Sequence, residues 1–230
     1  YGAFGKQFLS NSDIDALLNN PKDFGKKGGG DNTNYAKGRY FHQLILEPEK
    51  ASETKFVDAS TRTTKIYKDF IEQNKLPFAL LKAEGEEIRG CVQSMIQNIA
   101  FFEGIRQDGN QYEVPAIAEI NGLIWKGKAD IVCTDKLIDL KTTSNIADFK
   151  WSARKYNYDS QCYIYQQLFG KPLVFYVVDK TSGMLGIFRP TDEFVRRGEE
   201  KVERAVEVYH KFYGDNPTEN IEYYFIDEML

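Results

Sequence analysis

Four charged residues between Tyr112 and Thr143 have types and spacing that could do chemistry: Glu113, Asp130, Asp139 and Lys141. Carboxylates that lie close together repel one another, and a hard divalent cation with oxygen ligands relieves that repulsion. A bound cation also lowers the pKa of a water and neutralises developing charge, which hydrolysis of a phosphodiester requires. These residues therefore predict metal-assisted hydrolysis, provided that the chain folds so as to bring them together.

An Asn-Gly dipeptide at 121–122, between alternating apolar residues, indicates a two-residue hairpin turn. In that hairpin Ile120 faces Leu123, and counting back along both strands places Glu113 opposite Asp130. Side chains alternate between the faces of a strand. The two carboxylates are therefore predicted to lie side by side on one face.

A second turn follows near Thr134, and a loop at 135–136 would place Val132 opposite Asp139 and Asp130 opposite Lys141. All four charged side chains would then share one face of a three-stranded unit over 112–142. The alternative is a solvated sheet face with ordinary cross-strand ion pairs.

Within the Asp-Leu-Lys sequence at 139–141, the Leu140 carbonyl could add a metal ligand, and Lys141 could orient or deprotonate an attacking water. Gln161 and Tyr165 share one side of a predicted helix, where they could bind phosphate or buttress the ligands. Their alternative roles are a surface glutamine and a core aromatic residue. Considered alone, His42 is typical of a satisfied core histidine.

The chain has 230 residues, 42% of them hydrophobic, and a net charge of −4, so it lacks the overall basic charge of many nucleic-acid binders. Residues 126–155 nevertheless hold seven Lys or Arg against four Asp or Glu, whereas 191–230 hold eleven acids against five bases. This distribution suits a protein that binds phosphate at one place only, in the basic stretch. Candidate phosphate contacts are Lys126, Lys128, Lys150, Arg154 and Lys155, with ordinary surface lysines as the alternative for the first two.

Three cysteines without a CxxC pair argue against a structural zinc site, an iron–sulfur cluster or a disulfide framework. No apolar run approaches about 18 residues, so no spanning helix is expected. We therefore expect a soluble cytoplasmic protein without a membrane partner.

Apolar periodicity predicts helices that precede, separate and follow the strands. The expected helices are one opened by a capping box at 12–15 and stopped at Pro21, then 35–46, 66–75, 85–106, 157–169 and a closing amphipathic helix around 202–212. Strands are expected at 173–178 and 184–189, in addition to the three-stranded unit. A glycine-rich stretch at 25–34 lacks the P-loop order and is interpreted as a flexible loop. The order predicts an α/β fold, a mixed central sheet with flanking helices preceded by a helical lobe.

Four pieces in order resemble the PD-(D/E)xK nuclease superfamily, in the branch of RecB-type nuclease domains and RecE-like phage exonucleases. They are the opening stretch Ser10–Phe24, the helix Gly38–Pro48, the pair of strands Gly127–Asp130 and Ile138–Thr143, and the helix motif Gln161–Tyr165. Ala129 stands where the signature has proline, a change that this branch commonly tolerates. The resemblance implies a restriction-endonuclease-like core and makes His42 a metal ligand.

The resemblance further implies a Mg²⁺-dependent DNA exonuclease, with Mn²⁺ able to substitute and no iron–sulfur cluster. It would resect duplex ends 5′ to 3′ for phage-type recombination, beside a single-strand annealing protein, in the cytoplasm of a bacterial host. The implied metal ligands are His42, Asp130, Asp139 and the Leu140 carbonyl, with Glu113 as an added ligand or as a base that positions the water. Related exonucleases form rings, so a trimeric or tetrameric homo-oligomer is expected.

Two alternatives remain open from the sequence: a structure-specific or nicking endonuclease of the same fold, and a catalytically silent nucleic-acid-binding module. The chain is interpreted as one nuclease domain over 1–230. Its expected parts are a helical lobe at 1–84 that holds the metal-ligand histidine, the core at 85–213 and an acidic tail at 214–230.

Overall fold

The computed structural model describes residues 7–26 and 33–227. Its helices are α1 (Asp13–Asn19), α2 (Thr33–Leu46), α3 (Pro48–Ser52), α4 (Lys65–Asn74), α5 (Lys82–Gln97), α6 (Ile99–Arg106), α7 (Phe149–Lys155), α8 (Tyr158–Phe169) and α9 (Asp192–Phe212). Its strands are β1 (Phe56–Val57), β2 (Leu80–Leu81), β3 (Gln111–Ile120), β4 (Leu123–Val132), β5 (Leu137–Thr143), β6 (Leu173–Asp179) and β7 (Leu185–Phe188). Short 3₁₀ turns occur at Pro21–Asp23 and Ile221–Tyr223.

The main sheet has five strands in the order β3-β4-β5-β6-β7. Neighbouring strands are antiparallel except for β5 and β6, which run parallel. The predicted mixed α/β fold is confirmed. A small parallel pair of β1 and β2, which the sequence analysis did not predict, lies in the amino-terminal lobe.

Helices cover both faces of this sheet. One core cluster joins α2, α5 and α6 to side chains such as Ile138, Leu140 and Tyr176. A second cluster joins α7 and α8 to the alternate positions Leu137 and Phe175. Because neighbouring residues of a strand point to opposite faces, the two clusters lie on opposite sides of the sheet.

The hairpin turn at 121–122 is confirmed. Ile120 pairs with Leu123, and both turn residues have positive φ, 51° for Asn121 and 78° for Gly122, as a type I′ turn requires. Near Glu113 the pairing continues in the same register, with Tyr112 opposite Ile131. The predicted alignment of β3 with β4 is therefore correct.

The predicted alignment of β4 with β5 is wrong by two residues. Val132 pairs with Leu137 rather than with Asp139, because the turn is one position earlier and its Cys133 N–H donates to Lys136 O at 2.9 Å. A slip of one residue would have moved every side chain to the other face, whereas a slip of two keeps the faces and changes only the partners.

The strands become irregular where the charged residues lie. Glu113 has a φ of +53° and interrupts the paired residues of β3 and β4. The paired residues of β4 and β5 end at Ile131, which lies opposite Ile138. Beyond this point Asp130 places a carboxylate oxygen 2.7 Å from the Leu140 N–H. A side chain thus takes the place of a strand-to-strand backbone bond.

Several local expectations need correction. The stretch predicted as one helix at 85–106 is two, because Asn98 adopts an extended conformation and its side chain caps α6 by accepting from the Ala100 and Phe101 N–H groups. The capping box predicted at 12–15 is not formed: the Asp13 carboxylate accepts from the Ser10 N–H at 2.7 Å instead. Helix α7 was not predicted. Of the predicted loop at 25–34, residues 27–32 lie outside the described part of the chain.

Candidate metal centre

Three potential metal ligands meet at the irregular part of the sheet. His42, Glu113 and Asp130 each offer a ligand atom, and all three atoms lie within 4.8 Å of one another. Within this group, His42 Nδ1 lies 3.1 Å from Asp130 Oδ1. An imidazole nitrogen with two carboxylate oxygens is a donor set that divalent cations accept.

Helix α2 positions His42 through its apolar residues. Phe41 and Ile45 are fully buried in the core cluster against the sheet, which fixes the rotation of the helix. His42 follows Phe41 and is turned toward the strand that carries Asp130, with about a quarter of its side chain exposed. The packing of the helix therefore sets the direction of the imidazole.

A second group of polar side chains surrounds Asp139. Lys141 Nζ lies 2.6 Å from Asp139 Oδ2, and Gln161 Nε2 donates to Asp139 Oδ1 at 2.6 Å. Lys141 Nζ also lies 4.9 Å from the centre of the Tyr158 ring. Apart from the ammonium, no described residue gives the buried Asp139 Oδ2 a hydrogen-bond partner.

The expectation that four charged side chains share one continuous face needs correction. Asp130 contacts His42 from α2, whereas Asp139 contacts Gln161 from α8, on the opposite side of the sheet. The two groups lie next to each other because the Asp130 carboxylate accepts a hydrogen bond from the Leu140 N–H of β5, beyond the last paired residues of β4 and β5.

The electrostatic environment of the two aspartates differs. Burial alone would raise the pKa of Asp130, but His42 and Lys141 outweigh it and hold that pKa below its usual value. Burial raises the pKa of Asp139, and the Asp130 carboxylate adds to the rise despite the nearby Lys141. A cation between them would favour the ionised form of both.

Lys141 is held in its charged form. Burial alone would lower its pKa, but the carboxylates of Asp139 and Asp130 outweigh that effect and raise it. The same competition raises the pKa of His42, where Asp130 outweighs burial. A protonated Lys141 can orient a water or stabilise negative charge, and it cannot accept a proton.

A cleft of about 990 Å³ opens over the cluster between α2 and the segment that contains α7. Basic residues that line it, in addition to Lys141, are Lys37, Arg39, Lys50, Lys128 and Lys180. Several of these are paired, as Lys37 is with Glu87 at 2.7 Å. The cleft thus combines acidic ligands at its floor with cations along its walls, a pattern suited to a polyanion.

The family model described as "PDDEXK-like domain of unknown function (DUF3799)" matches residues 8–218. The chain belongs to this family. The predicted resemblance to the PD-(D/E)xK nuclease superfamily is thereby confirmed. No curated protein matches the chain.

One solved structure supports the fold. A crystal structure from Eubacterium rectale, provisionally described as an exonuclease, aligns with a TM-score of 0.63 over 89% of this chain and 82% of its own, at 19% identity. A structure named SSO0001 aligns over 83% of each chain at 18% identity, with a TM-score of 0.33 that is too low to carry an argument. In the described ranges of this PDDEXK-like domain, no helix is long and apolar enough to cross a membrane.

The PDDEXK-like domain places the remaining predicted residues differently. Tyr165 donates its hydroxyl to Lys128 O at 3.0 Å and accepts from the Lys128 N–H at 3.3 Å, so it braces β4 from the α8 side. The Lys128 ammonium pairs with Glu113 at the cleft. Lys126 is on β4 but is not among the residues that line the cleft. Three candidates are exposed on α7 beside the cleft, namely Lys150, Arg154 and Lys155.

Sequence reasoning missed two residues of the site. Tyr158 precedes Gln161 by three positions on α8, so helical periodicity would have placed it on the same side. Lys180 directly follows β6, and its N–H donates to Thr143 O at the end of β5. Because β5 and β6 run parallel, their ends lie at the same edge, which was the available signal.

The donor set fits a divalent cation. His42, Glu113 and Asp130 supply one nitrogen and oxygen ligands at the cleft, and Asp139, whose Oδ2 pairs with the Lys141 ammonium, lies in the adjoining group. Leu140 lines the cleft between them, and its carbonyl remains a predicted ligand. A carboxylate oxygen that pairs with an ammonium keeps a further lone pair that can bind a cation.

Proposed function

We propose that the protein is a Mg²⁺-dependent deoxyribonuclease that hydrolyses phosphodiester bonds from DNA ends. The observation that carries the proposal is the His42–Glu113–Asp130 cluster beside the Asp139–Lys141 pair, at the floor of a cleft with basic walls. Membership of a PDDEXK-like family supports the same chemistry.

In this proposal His42, Glu113, Asp130 and Asp139 hold the cation, together with the Leu140 carbonyl. Magnesium suits a site dominated by carboxylate oxygens, and Mn²⁺ can substitute because it accepts an imidazole as well. The bound cation supplies an activated water and neutralises charge on the phosphate.

Lys141 orients the attacking water and stabilises the charge that develops on the phosphate, because its pKa is raised and it stays protonated. Gln161 holds Asp139 in position through its hydrogen bond, and Tyr165 braces the strand that carries Asp130. Lys128 and the cations of α7 bind the backbone on either side. The alternative is that they are ordinary surface residues.

The proposal has three more specific points. The enzyme acts from DNA ends, it proceeds 5′ to 3′, and it serves phage-type recombination. The sequence resemblance to RecE-like exonucleases supports all three points. The provisional description of the structure from Eubacterium rectale as an exonuclease supports only the action from ends. The test is digestion of end-labelled linear DNA and a covalently closed plasmid with Mg²⁺, Ca²⁺ or a chelator.

We expect Mg²⁺ to support loss of the linear DNA from its 5′ ends, an intact circle, and no reaction with the chelator. Cleavage of the closed circle would favour the endonuclease alternative. No hydrolysis of either DNA with any divalent metal would favour a silent binding module and overturn the proposal.

Assembly is part of the same proposal. A ring-like trimer or tetramer would keep an acidic chain on its DNA and would deliver single strands to an annealing protein. Analytical sedimentation tests this. A monomer that still removes long tracts in each binding event would contradict the ring.

A further inference from the structure

Three large aromatic side chains are exposed around the cleft. Tyr35 is 65% exposed, Trp151 64% and Tyr156 57%. Tyr35 and Tyr156 line the cleft, and Trp151 lies on α7 next to Ser152, which also lines it. Single exposed aromatic residues are common on protein surfaces, whereas three around one cleft indicate a binding site.

A positively charged side chain lies beside each of these rings. The Arg39 guanidinium lies 5.4 Å from the centre of the Tyr35 ring, and that of Arg154 lies 5.4 Å from Trp151. Lys155 Nζ lies 5.7 Å from the Tyr156 ring. Flat π-faces beside cations match the two parts of a nucleotide, because a base stacks on the ring while its phosphate pairs with the cation.

The rings also lie next to the proposed reaction centre. Tyr35 precedes His42 by seven residues on α2, about two helical turns, so both belong to the same side of that helix. Tyr156 precedes Tyr158 by two residues, and the Tyr158 ring contacts Lys141. The two tyrosines therefore lie on opposite sides of the proposed reaction centre, Tyr35 on α2 and Tyr156 directly after α7.

We propose that this cleft takes an unpaired DNA strand, with bases stacked on Tyr35 and Tyr156 while the backbone crosses the acidic cluster. In a duplex the faces of the bases are covered by their neighbours, and only an opened end or a single strand can offer them to a protein ring. The inference rests on the proposed nuclease function and names its substrate. Duplex ends would then be degraded once their terminal pairs open.

The test measures binding of a fluorescent 20-nucleotide single strand and of the matching blunt duplex, with a chelator present so that nothing is cut. We expect the single strand to bind more tightly. Tyr35→Ala and Tyr156→Ala should each weaken single-strand binding about fivefold to a hundredfold and leave duplex binding almost unchanged. The corresponding Tyr→Phe variants keep the ring and should bind as the wild type does.

Tyr223→Ala is the matched control, because Tyr223 is 81% exposed and is not among the cleft-lining residues; it should change nothing. Equal affinity for duplex and single strand, or alanine variants that bind the single strand normally, would overturn the inference. Normal binding by the alanine variants together with Mg²⁺-dependent cleavage would leave the nuclease function standing. If single-strand binding depends on the two tyrosines but no DNA is cleaved, the nuclease function alone would be contradicted.

Discussion

Lys141 and Asp139 form a buried ion pair whose two members have separable roles. The side chains are 19% and 5% exposed, so removal of one partner leaves a charge without compensation in a poorly solvated place. Such a loss typically costs about 3–5 kcal/mol of folding stability. Any loss of activity in a single variant must therefore be separated from loss of folding.

We predict that Lys141→Met lowers cleavage about a hundred- to a thousandfold, the scale on which removal of a charge-stabilising donor acts. It should also lower the free energy of unfolding by about 3–5 kcal/mol. The double variant Asp139→Asn with Lys141→Met should recover most of that stability and remain inactive. Urea unfolding and a cleavage assay measure the two effects, and a cleaving double variant would contradict the assigned roles.

In the proposed function, Gln161 acts on the reaction through Asp139. Its amide donates to Asp139 Oδ1 at 2.6 Å, and both residues are buried. We predict that Gln161→Ala lowers kcat about ten- to a hundredfold with little change in KM, as is typical of residues that orient metal ligands. Gln166→Ala, at an exposed position of the same helix, is the control. A change in KM with kcat unaltered would argue for direct contact with DNA instead.

Candidate residues for the site could be chosen from the sequence, but their contacts could not be predicted. The resemblance singled out His42, whereas its own setting in an apolar helix indicated a core residue. The sequence did not reveal that Glu113 adopts a positive φ or that Asp130 bonds the Leu140 N–H. Both depend on where paired strands separate, which local propensity does not encode.

The junction between α8 and α9 positions Gln161. A Cβ added to Gly198 would lie 2.0 Å from the Asp159 carbonyl oxygen, so only glycine permits this approach of the helices. Lys201 strengthens the junction from α9, donating to Asp159 Oδ1 at 2.9 Å and to Asn157 Oδ1 at 2.8 Å. The amino-terminal end of α8 is thereby tied to α9.

We predict that Gly198→Ala lowers the free energy of unfolding by about 1–3 kcal/mol, because α9 must move away from α8. The displacement should also reduce cleavage, since α8 carries Gln161. Gly90→Ala on α5 is the matched control: a Cβ there meets nothing within 4 Å, and the change should stabilise by up to about 1 kcal/mol. Equal effects of the two changes in thermal unfolding would contradict this account of the junction.

Elements with strong periodicity were predictable, and short elements were not. The fully buried β6 and the amphipathic α9 follow clear patterns. Helix α7 has seven residues and the strands of the small sheet have two each, too few for a period to show. The turn between β4 and β5 lacks the Asn-Gly signal that fixed the first turn, so its register was misplaced.

In the proposed function, DNA binding depends on local cations because the entire chain is acidic. With a net charge of −4, attraction to phosphate must come from the basic walls of the cleft and from α7. Each phosphate contact releases counterions and adds to the salt dependence of binding. The slope of affinity against salt therefore counts the cations that touch the strand.

We predict that changing Lys150, Arg154 and Lys155 together to Gln reduces the slope of log K against log salt by about 2 for single-stranded DNA. The change should weaken binding without regard to sequence. Replacement of Lys65 and Lys68 on α4, together with Lys75 directly after it, removes the same charge from exposed positions outside the cleft lining and is the control. Equal slopes in both triple variants would show that α7 does not lie along the DNA.

The central claim is that carboxylates from separating strands and an imidazole from α2 hold one cation site. Calorimetric titration of the metal-free protein with Mn²⁺ tests it most directly, comparing the wild type with Asp130→Asn, a change that keeps the shape of the side chain. We predict saturable binding by the wild type and at least about a tenfold loss of affinity in the variant. A wild type that binds no Mn²⁺, or a variant that binds it equally well, would contradict the account.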